Sequence, residues 1–200
     1  MLWQRVRVAV GLAAASLAAT VMVAGSGTAA QGADTSDEDT VSTLHSSYGD
    51  PALAPLAWFV GNWKCQQTDY PPDGGPIHSK VKTKVRWTLG GKWLDWSVVQ
   101  QPNPTVPNPS KGNWIWGWDA TKNQFVADWH DSEGFRSQQW SPGWNGDTLL
   151  FEGTVYLPFG AALPSRDTFT RTGSGSVRDV GTVLVGGNWL TISEITCVKG

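Results

Sequence analysis

Tryptophan recurs at every second position in the middle of the chain. Trp114, Trp116 and Trp118 follow this spacing, and alternate residues of an extended strand lie on the same face. Residues 119–123 read Asp-Ala-Thr-Lys-Asn, in which Asp suits the opening position of a turn and Asn tolerates the left-handed conformation. The segment therefore predicts a hairpin with one almost wholly aromatic face, which cross-strand aromatic pairs stabilise. With a loop at residues 120–123, the expected pairs are Trp118–Phe125, Trp116–Ala127 and Trp114–Trp129.

Further turn signals divide the rest of the chain into about ten short strands, and no convincing amphipathic helix interrupts them. The clearest hairpin has Gly90-Gly91 between two strands with alternating apolar residues. Asn-Gly is a strong signal for a two-residue hairpin turn. The other turns are expected at Asn145-Gly146, which would pair Trp140 with Phe151, at residues 173–176 and at Gly186-Gly187.

The N-terminus has the pattern of an export signal in residues 1–30. Arg5 and Arg7 give this segment a basic start. Val8–Val23 is an Ala-rich apolar run, and residues 28–30 are the small residues of a cleavage site. An uncleaved membrane anchor is the alternative, but the run is shorter than the roughly 20 residues that span a bilayer. We therefore expect a secreted protein with no stable membrane anchor after signal cleavage.

The composition changes after the export signal. Residues 31–55 are polar and acidic, and such a segment cannot bury enough apolar surface to become ordered. They are expected to form a disordered leader, with the folded domain at residues 56–200. From Leu56 onward the chain has 13 Lys and Arg residues against 12 Asp and Glu residues. This near-neutral domain lacks the basic excess that nucleic-acid binding requires, so we expect no nucleic-acid partner. We also expect the protein to be a monomer.

The only two cysteines lie at opposite ends of this domain. Cys65 is near the start of the first predicted strand, and Cys197 is near the end of the last one. In an exported chain such a pair is most simply a disulfide, with two free buried thiols as the alternative. An antiparallel meander either closes into a barrel or splits into a sandwich. When an even number of antiparallel strands closes into a barrel, the start of the first strand lies beside the end of the last strand. We therefore predict an all-β, closed antiparallel up-and-down barrel of about ten strands.

Several short motifs occur in a fixed order along most of residues 56–198. They are an opening Gly-x-Trp at Gly61–Trp63, a Leu-Gly-Gly-Lys-Trp-Leu hairpin at Leu89–Leu94, a Gly-aromatic-Asp turn at Gly117–Asp119 and a Trp-x-Asp-Ser strand at Trp129–Ser132. In this order they resemble a family of small bacterial exported domains, lipocalin-like (calycin-type) in fold and of unknown function. The resemblance implies a barrel with a central cavity, and it implies no reaction. The chain departs from the family pattern in a Pro-rich insert, in its additional tryptophans and in its cysteine pair.

Asp128 and His130 are the first candidates for catalysis. They are two residues apart on a predicted strand and share one face, and a carboxylate that orients a His is the usual arrangement of a general base. The aromatic residues occupy the opposite face, so this pair lies on the surface if the aromatic face lines the barrel. Asp131 is a third candidate. We favour a protein without enzymatic activity, and an isomerase, cyclase or hydratase that uses these residues is the alternative.

The chain has no recognisable motif for a metal or a cofactor. Its three His residues, His45, His78 and His130, are far apart in the sequence, whereas a metal site needs clustered ligands. Nitrobindin-like barrels are similar in general shape and in their opening Gly-x-Trp, and they hold haem through a His late in the chain. No His follows His130 in this sequence. We therefore expect no bound metal and no cofactor.

Tryptophan is more abundant than a small core requires. Of the 13 in the chain, 12 follow the export signal, and indole rings offer a ligand both apolar surface and an N–H donor. A plain structural core and an outward platform that stacks sugar rings, as in a carbohydrate-binding module, are the alternatives. The favoured interpretation is an exported barrel that binds a small hydrophobic or aromatic molecule. The expected cavity residues are Trp87, Trp96, Trp114, Trp116, Trp118, Phe125, Trp129 and Phe151.

Overall fold

The computed structural model describes residues 50–200, most of which form strands joined by turns. A 3-10 helix at Pro51–Phe59 precedes the first strand, and a 3-10 turn at Leu89–Gly91 joins the second strand to the third. The predicted export signal and residues 31–49 of the predicted leader lie outside the described residues. The strands are β1 (Gly61–Asp69), β2 (Ile77–Thr88), β3 (Trp93–Gln100), β4 (Lys111–Asp119), β5 (Gln124–Asp131), β6 (Arg136–Ser141), β7 (Trp144–Asn145), β8 (Thr148–Tyr156), β9 (Ala162–Gly173), β10 (Ser176–Val185) and β11 (Asn188–Lys199).

The strands close into a barrel. Each strand from β1 to β6 pairs antiparallel with the next, and the strands from β8 to β11 do the same. Closure comes from two further antiparallel pairings, β11 with β1 and β6 with β8, which complete a ring of ten strands. The two-residue strand β7 lies outside this ring and pairs with β8. The prediction of a closed antiparallel up-and-down barrel is confirmed.

Turn chemistry sets the register of the aromatic hairpin as predicted. Trp114 pairs with Trp129 and Trp116 with Ala127 across β4 and β5. Asn123, the last residue of the turn, has φ of 53°, which is the left-handed conformation that Asn tolerates. A local turn signal was therefore sufficient to place every residue of this hairpin on the correct face.

The register between β6 and β8 differs from the prediction. Trp140 pairs with Glu152 rather than with Phe151. Pro142-Gly143 separates β6 from β7. Asn145 ends β7 and pairs with Thr148, so the turn consists of Gly146 and Asp147 rather than of the predicted Asn145 and Gly146. Because side chains alternate along a strand, this shift of one residue turns Trp140 outward, where it is 48% exposed.

The helix at Pro51–Phe59 covers one end of the barrel, which we call the plugged end. Leu53, Leu56 and Phe59 on this helix are fully buried. The helix starts within residues 31–55, the segment whose composition predicted disorder. This part of the segment is ordered because its apolar side chains pack inside the barrel, and composition alone does not reveal such partners. Three side chains fasten it by donating hydrogen bonds to its carbonyl oxygens: Trp63 Nε1 to Phe59 at 2.7 Å, Trp144 Nε1 to Pro55 at 3.0 Å and Lys199 Nζ to Trp58 at 2.6 Å.

The first and last strands are joined covalently. Cys65 of β1 and Cys197 of β11 lie directly opposite each other in the ladder and form the predicted disulfide. The bond links positions separated by 132 residues in the sequence. Within residues 50–200, no helix has the length and hydrophobicity needed to cross a membrane.

Candidate ligand site inside the barrel

Six aromatic side chains meet inside the barrel and form what we call the aromatic layer. Trp116 is fully buried within it, and its ring centroid lies 4.4 Å from that of Trp96 and 4.7 Å from that of Phe151. The aromatic face of β4 therefore lines the interior, which excludes an outward sugar-stacking platform built on this face. The members of the layer are Phe59, Trp96, Trp114, Trp116, Phe151 and Phe169.

The other predicted cavity residues lie around this layer. Trp129 contacts Trp114 with their ring centroids 5.6 Å apart. Trp118 and Phe125 pack on each other at 5.1 Å, close to the turn that joins β4 and β5 at the plugged end. Trp87 is half-buried and packs against the core. The structure thus brings the predicted residues into one connected core, although only Trp96, Trp114, Trp116 and Phe151 belong to the layer itself.

Three indole N–H groups in the aromatic layer have no hydrogen-bond acceptor among residues 50–200. They belong to Trp96, Trp114 and Trp116. A buried indole N–H usually finds an acceptor, and leaving such a donor unsatisfied costs about 1–3 kcal/mol. The three donors lie on adjoining rings, since Trp96, Trp114 and Trp116 contact one another. They give the interior a wall that combines apolar surface with unused donors.

A polar cluster adjoins the aromatic layer on the side away from the helix. Asp167 is two residues before Phe169 on β9 and shares its inward face, and Asp179 pairs with Phe169 across β9 and β10. Gln139 reaches the same place from β6 by donating hydrogen bonds from Nε2 to Asp167 Oδ2 and to Ser165 Oγ. We call Gln139, Ser165, Asp167 and Asp179 the carboxylate cluster.

Gly181 makes room for this cluster on the inner wall. It pairs with Asp167 on one side and with Ser193 on the other. A Cβ atom at this position would lie 2.5 Å from Ser193 Oγ and 3.2 Å from Asp167 Oδ1. The absence of a side chain therefore allows the Asp167 carboxylate to lie against the wall of β10.

Burial changes the acidity of both carboxyl groups. Desolvation raises the pKa of Asp167 to about 6, and the hydrogen bond from Gln139 opposes this rise. Desolvation, followed by the proximity of Asp167, raises the pKa of Asp179 well above its usual range, against a hydrogen bond from the Val180 N–H. Asp179 Oδ1 and Gln139 Oε1 have no donor among the described residues. The cluster therefore holds poorly compensated acceptors inside the barrel.

Sequence reasoning did not single out the carboxylate cluster or Phe169. Its residues come from three strands and meet only through the barrel register. One signal was present, since Asp179 is in phase with the apolar Val177 and Val183 on β10. A charged residue at a core-facing position is costly unless it is paired, and this pattern is a usable marker of an interior polar site.

More carboxylates lie at the opposite end of the barrel from the helix, which we call the loop end. Desolvation raises the pKa of Asp69 at the end of β1, and a hydrogen bond from Gln67 at 2.7 Å opposes the rise. Desolvation, together with the nearby Asp131 and Asp69, raises the pKa of Glu133. The loop end thus has an acidic rim.

The predicted catalytic residues do not form a catalytic group inside the barrel. His130 is exposed, Asp128 is partly exposed on the same outer face, and no hydrogen bond joins them in the described part of the chain. Asp131 faces inward but holds a turn together, because its carboxylate accepts hydrogen bonds from Trp129 Nε1, from the Glu133 N–H and from the Phe135 N–H. His130 and Asp131 line a shallow surface groove of about 220 Å³ with Lys111, Gly112 and Asn113.

The described residues also offer no cluster of metal ligands. No group of three or more His, Cys, Asp or Glu side chains within residues 50–200 is arranged to hold a metal ion. The carboxylate cluster itself supplies only two carboxylates, whereas Ca²⁺ requires six to eight oxygen ligands. The chemistry that the cluster supports is therefore hydrogen bonding, charge pairing and proton exchange.

Two solved structures share this barrel fold at low sequence identity. The crystal structure of Rv2717c from M. tuberculosis has a TM-score of 0.59 and 13% identity, with 76% of this chain and 99% of that chain covered. The S-type phycobiliprotein lyase CPES from Guillardia theta has a TM-score of 0.50 and 9% identity, with 72% and 90% covered. At these identities the likeness concerns the fold alone.

Sequence comparison places the chain in a family. No curated protein matches the sequence. Residues 52–156, which include the helix at the plugged end and the strands from β1 to β8, match the family described as "Protein of unknown function (DUF1579)". The match covers more than half of the 200 residues. The chain is therefore a member of the DUF1579 family of proteins of unknown function, with a lipocalin-like barrel fold.

Proposed function

We propose that this protein binds a small, largely apolar or aromatic molecule inside its barrel, against the aromatic layer. The observation that carries this proposal is the set of three adjoining indole N–H groups, those of Trp96, Trp114 and Trp116, that lack an acceptor among the described residues. A ligand with an acceptor atom would satisfy these donors, and its apolar body would cover the rings.

The ligand enters from the loop end. At the plugged end, Leu53, Leu56 and Phe59 are fully buried under their helix and close the barrel. In the other half, Gln67 and Asp167 face the interior and yet keep partly accessible side chains. Partial accessibility of inward residues in a closed barrel supports an interior that communicates with solvent.

The protein acts outside the cytoplasmic membrane in this proposal. Disulfides persist in oxidising compartments, and the bond between Cys65 and Cys197 supports export. The proposed organisation is a signal at residues 1–30, a leader that ends near the helix, and the barrel. The likeness to a phycobiliprotein lyase is one of fold and supplies no substrate.

A barrel enzyme is the second candidate function, and the carboxylate cluster is the observation that favours it. Two interior carboxyl groups with different acidities are a common arrangement for general acid–base chemistry. Asp167, with a pKa of about 6, is better placed for this role than Asp128 or His130. Loss of turnover in Asp167→Asn with retained ligand binding would distinguish catalysis from simple binding.

Native mass spectrometry of the mature protein, purified from the cells that secrete it, tests the binding function. We expect a mass excess over the disulfide-bonded chain that disappears on denaturation. Trp114→Phe removes one interior N–H and keeps an aromatic ring, so it should retain less ligand. Trp140→Phe is the matched control, because Trp140 points outward, and it should retain the wild-type amount. Equal retention in both variants would contradict an interior site at the aromatic layer.

A further inference from the structure

The loop-end half of the barrel interior is acidic and lacks basic groups. Asp69, Asp167 and Asp179 lie on its inner wall, with Asp131 and Glu133 at the rim. Of the described residues, no Lys, Arg or His occupies an inward position of the strands in this half. Among the described residues, the inner wall of this half therefore carries acidic groups and no basic side chain.

The basic residues of the surrounding strands lie at the plugged end or on the outer face of the barrel. Arg171 of β9 faces inward at the plugged end, where its guanidinium lies 3.7 Å from the ring centroid of Trp144. The Lys residues of β2 occupy exposed outward positions. On the outer face, Arg166 pairs with Glu152 at 2.5 Å, Arg178 with Glu194 at 3.0 Å, and Arg136 lies over the ring of Tyr156.

The carboxylate cluster presents acceptors without donors. Asp179 is 6% exposed and its Oδ1 has no partner, and Gln139 is 3% exposed and its Oε1 has none within residues 50–200. The Gln139 amide nitrogen already donates to Asp167 and Ser165, so it does not serve Asp179. Buried acceptors in a native protein normally have donors, and a bound molecule with N–H groups would supply them.

Aromatic rings complete the surroundings of these acceptors. Phe169 lies opposite Asp179 and two residues from Asp167, and it contacts Trp114 with ring centroids 5.5 Å apart. A cation is attracted to aromatic faces, more strongly when water is excluded. Carboxylates beside aromatic faces are the combination that recognises an organic cation with N–H donors.

We propose that the ligand is an organic cation, whose protonated nitrogen donates to Asp167, Asp179 and Gln139 while its apolar or aromatic body lies against the aromatic layer. This inference rests on the proposed binding function and adds the ligand's charge to it. A metal cation does not fit, because the described residues place no third His, Cys, Asp or Glu ligand beside the two carboxylates.

The test uses two sets of matched probes that differ only in the charge of one substituent. One set is tryptamine, tryptophol and indole-3-acetate, and the other is the aminomethyl, hydroxymethyl and carboxylate derivatives of anthracene. Binding is measured by isothermal titration calorimetry of the full mature protein at pH 7.5. For whichever set binds, the amine should bind at least tenfold more tightly than the alcohol. The preference should weaken at pH 5, because protonation of Asp167, whose pKa is about 6, removes the partner charge.

The variant Asp167→Asn/Asp179→Asn should lose the preference for the amine and keep its affinity for the alcohol. Asp73→Asn, at an exposed position in the β1–β2 loop, is the matched control and should keep the preference. An alcohol or carboxylate that binds as tightly as the amine would overturn the cationic ligand and leave the binding function standing. A preference that persists in the double Asn variant would also overturn it. If no probe binds and the secreted protein carries no ligand, the binding function itself fails.

Discussion

At Asp179 a carboxyl group lies inside the barrel wall, where the Val180 N–H donates to it and the nearby Asp167 raises its pKa further. Burial of a charge without a partner is unfavourable, and the group responds by holding its proton more tightly. Proteins tolerate such a residue where function requires it, often at some expense of stability. The unpaired acceptor on Asp179 should therefore lower the stability of the ligand-free protein, and it is available to a ligand at the proposed site.

Asp179→Asn should stabilise the ligand-free protein at pH 7. Asn removes the charge and keeps an oxygen that accepts from the Val180 N–H. Because a buried polar group without a partner costs about 1–3 kcal/mol, we expect the free energy of unfolding to rise by up to about that amount. Urea denaturation monitored by circular dichroism measures this change. Asp73→Asn should alter it by less than about 0.5 kcal/mol, and destabilisation by Asp179→Asn would contradict the unfavourable burial.

The ligand-free wild type should become more stable as the pH falls from 7 to 5. A carboxyl group with a raised pKa binds its proton in the folded state at a pH where the unfolded chain has already released it. Its ionisation therefore destabilises the fold above its unfolded pKa, near 4, and protonation below about pH 6 relieves this effect at Asp167. Thermal denaturation at both pH values measures the effect. The stability of the Asp167→Asn/Asp179→Asn variant should increase less than that of the wild type over this pH range. An equal increase would show that other titrating groups cause the pH dependence.

At the scale of strands and hairpins, local chemistry explains what the sequence predicted and what it did not. The β4–β5 hairpin was predicted residue by residue, because its turn and its period-two aromatics lie within about 20 contiguous residues. The β6–β8 register was wrong by one residue, since β7 intervenes. One helical turn was expected at residues 56–60, but residues 51–55 of the helix at Pro51–Phe59 were assigned to the leader, because their partners in the barrel are distant in sequence. The carboxylate cluster was missed for the same reason, as Asp167 and Asp179 meet only through pairing of β9 with β10.

Phe59→Ala should show that the helix at the plugged end is part of the folded core. Phe59 contacts Trp96, Trp116 and Trp144 with ring centroids 5.0, 5.2 and 5.6 Å apart. Truncation of a fully buried Phe costs about 3–5 kcal/mol, because both transfer energy and packing are lost. Urea denaturation should show a loss of this size. Val198→Ala, at a position 50% exposed, is the control, and a comparable loss in both variants would contradict a specific role of the helix.

At the scale of the whole molecule, barrel closure depends on pairing between strands that are far apart in the sequence. The β1–β11 ladder joins the two ends of the domain, and such long-range pairing carries a large loop-closure entropy. Apart from the family resemblance, the positions of the two cysteines were the sequence feature that indicated this closure. They predicted both the adjacency of the first and last strands and its antiparallel direction, which the Cys65–Cys197 pairing confirms.

Removal of this disulfide should weaken the barrel without changing its fold. The bond closes a loop with a sequence separation of 132 residues, for which the chain-entropy account gives about 5 kcal/mol and measured losses of native disulfides are about 2–5 kcal/mol. Cys65→Ala/Cys197→Ala should therefore lower the free energy of unfolding by about 2–5 kcal/mol. Its circular dichroism spectrum should stay that of the wild type, because the backbone ladder between β1 and β11 persists on both sides of the bond. Dithiothreitol should lower the wild-type melting temperature towards that of the double Ala variant and leave the variant unchanged. A wild-type melting temperature that is insensitive to the reductant, under conditions that break the bond, would show that the strand ladder alone holds the barrel closed.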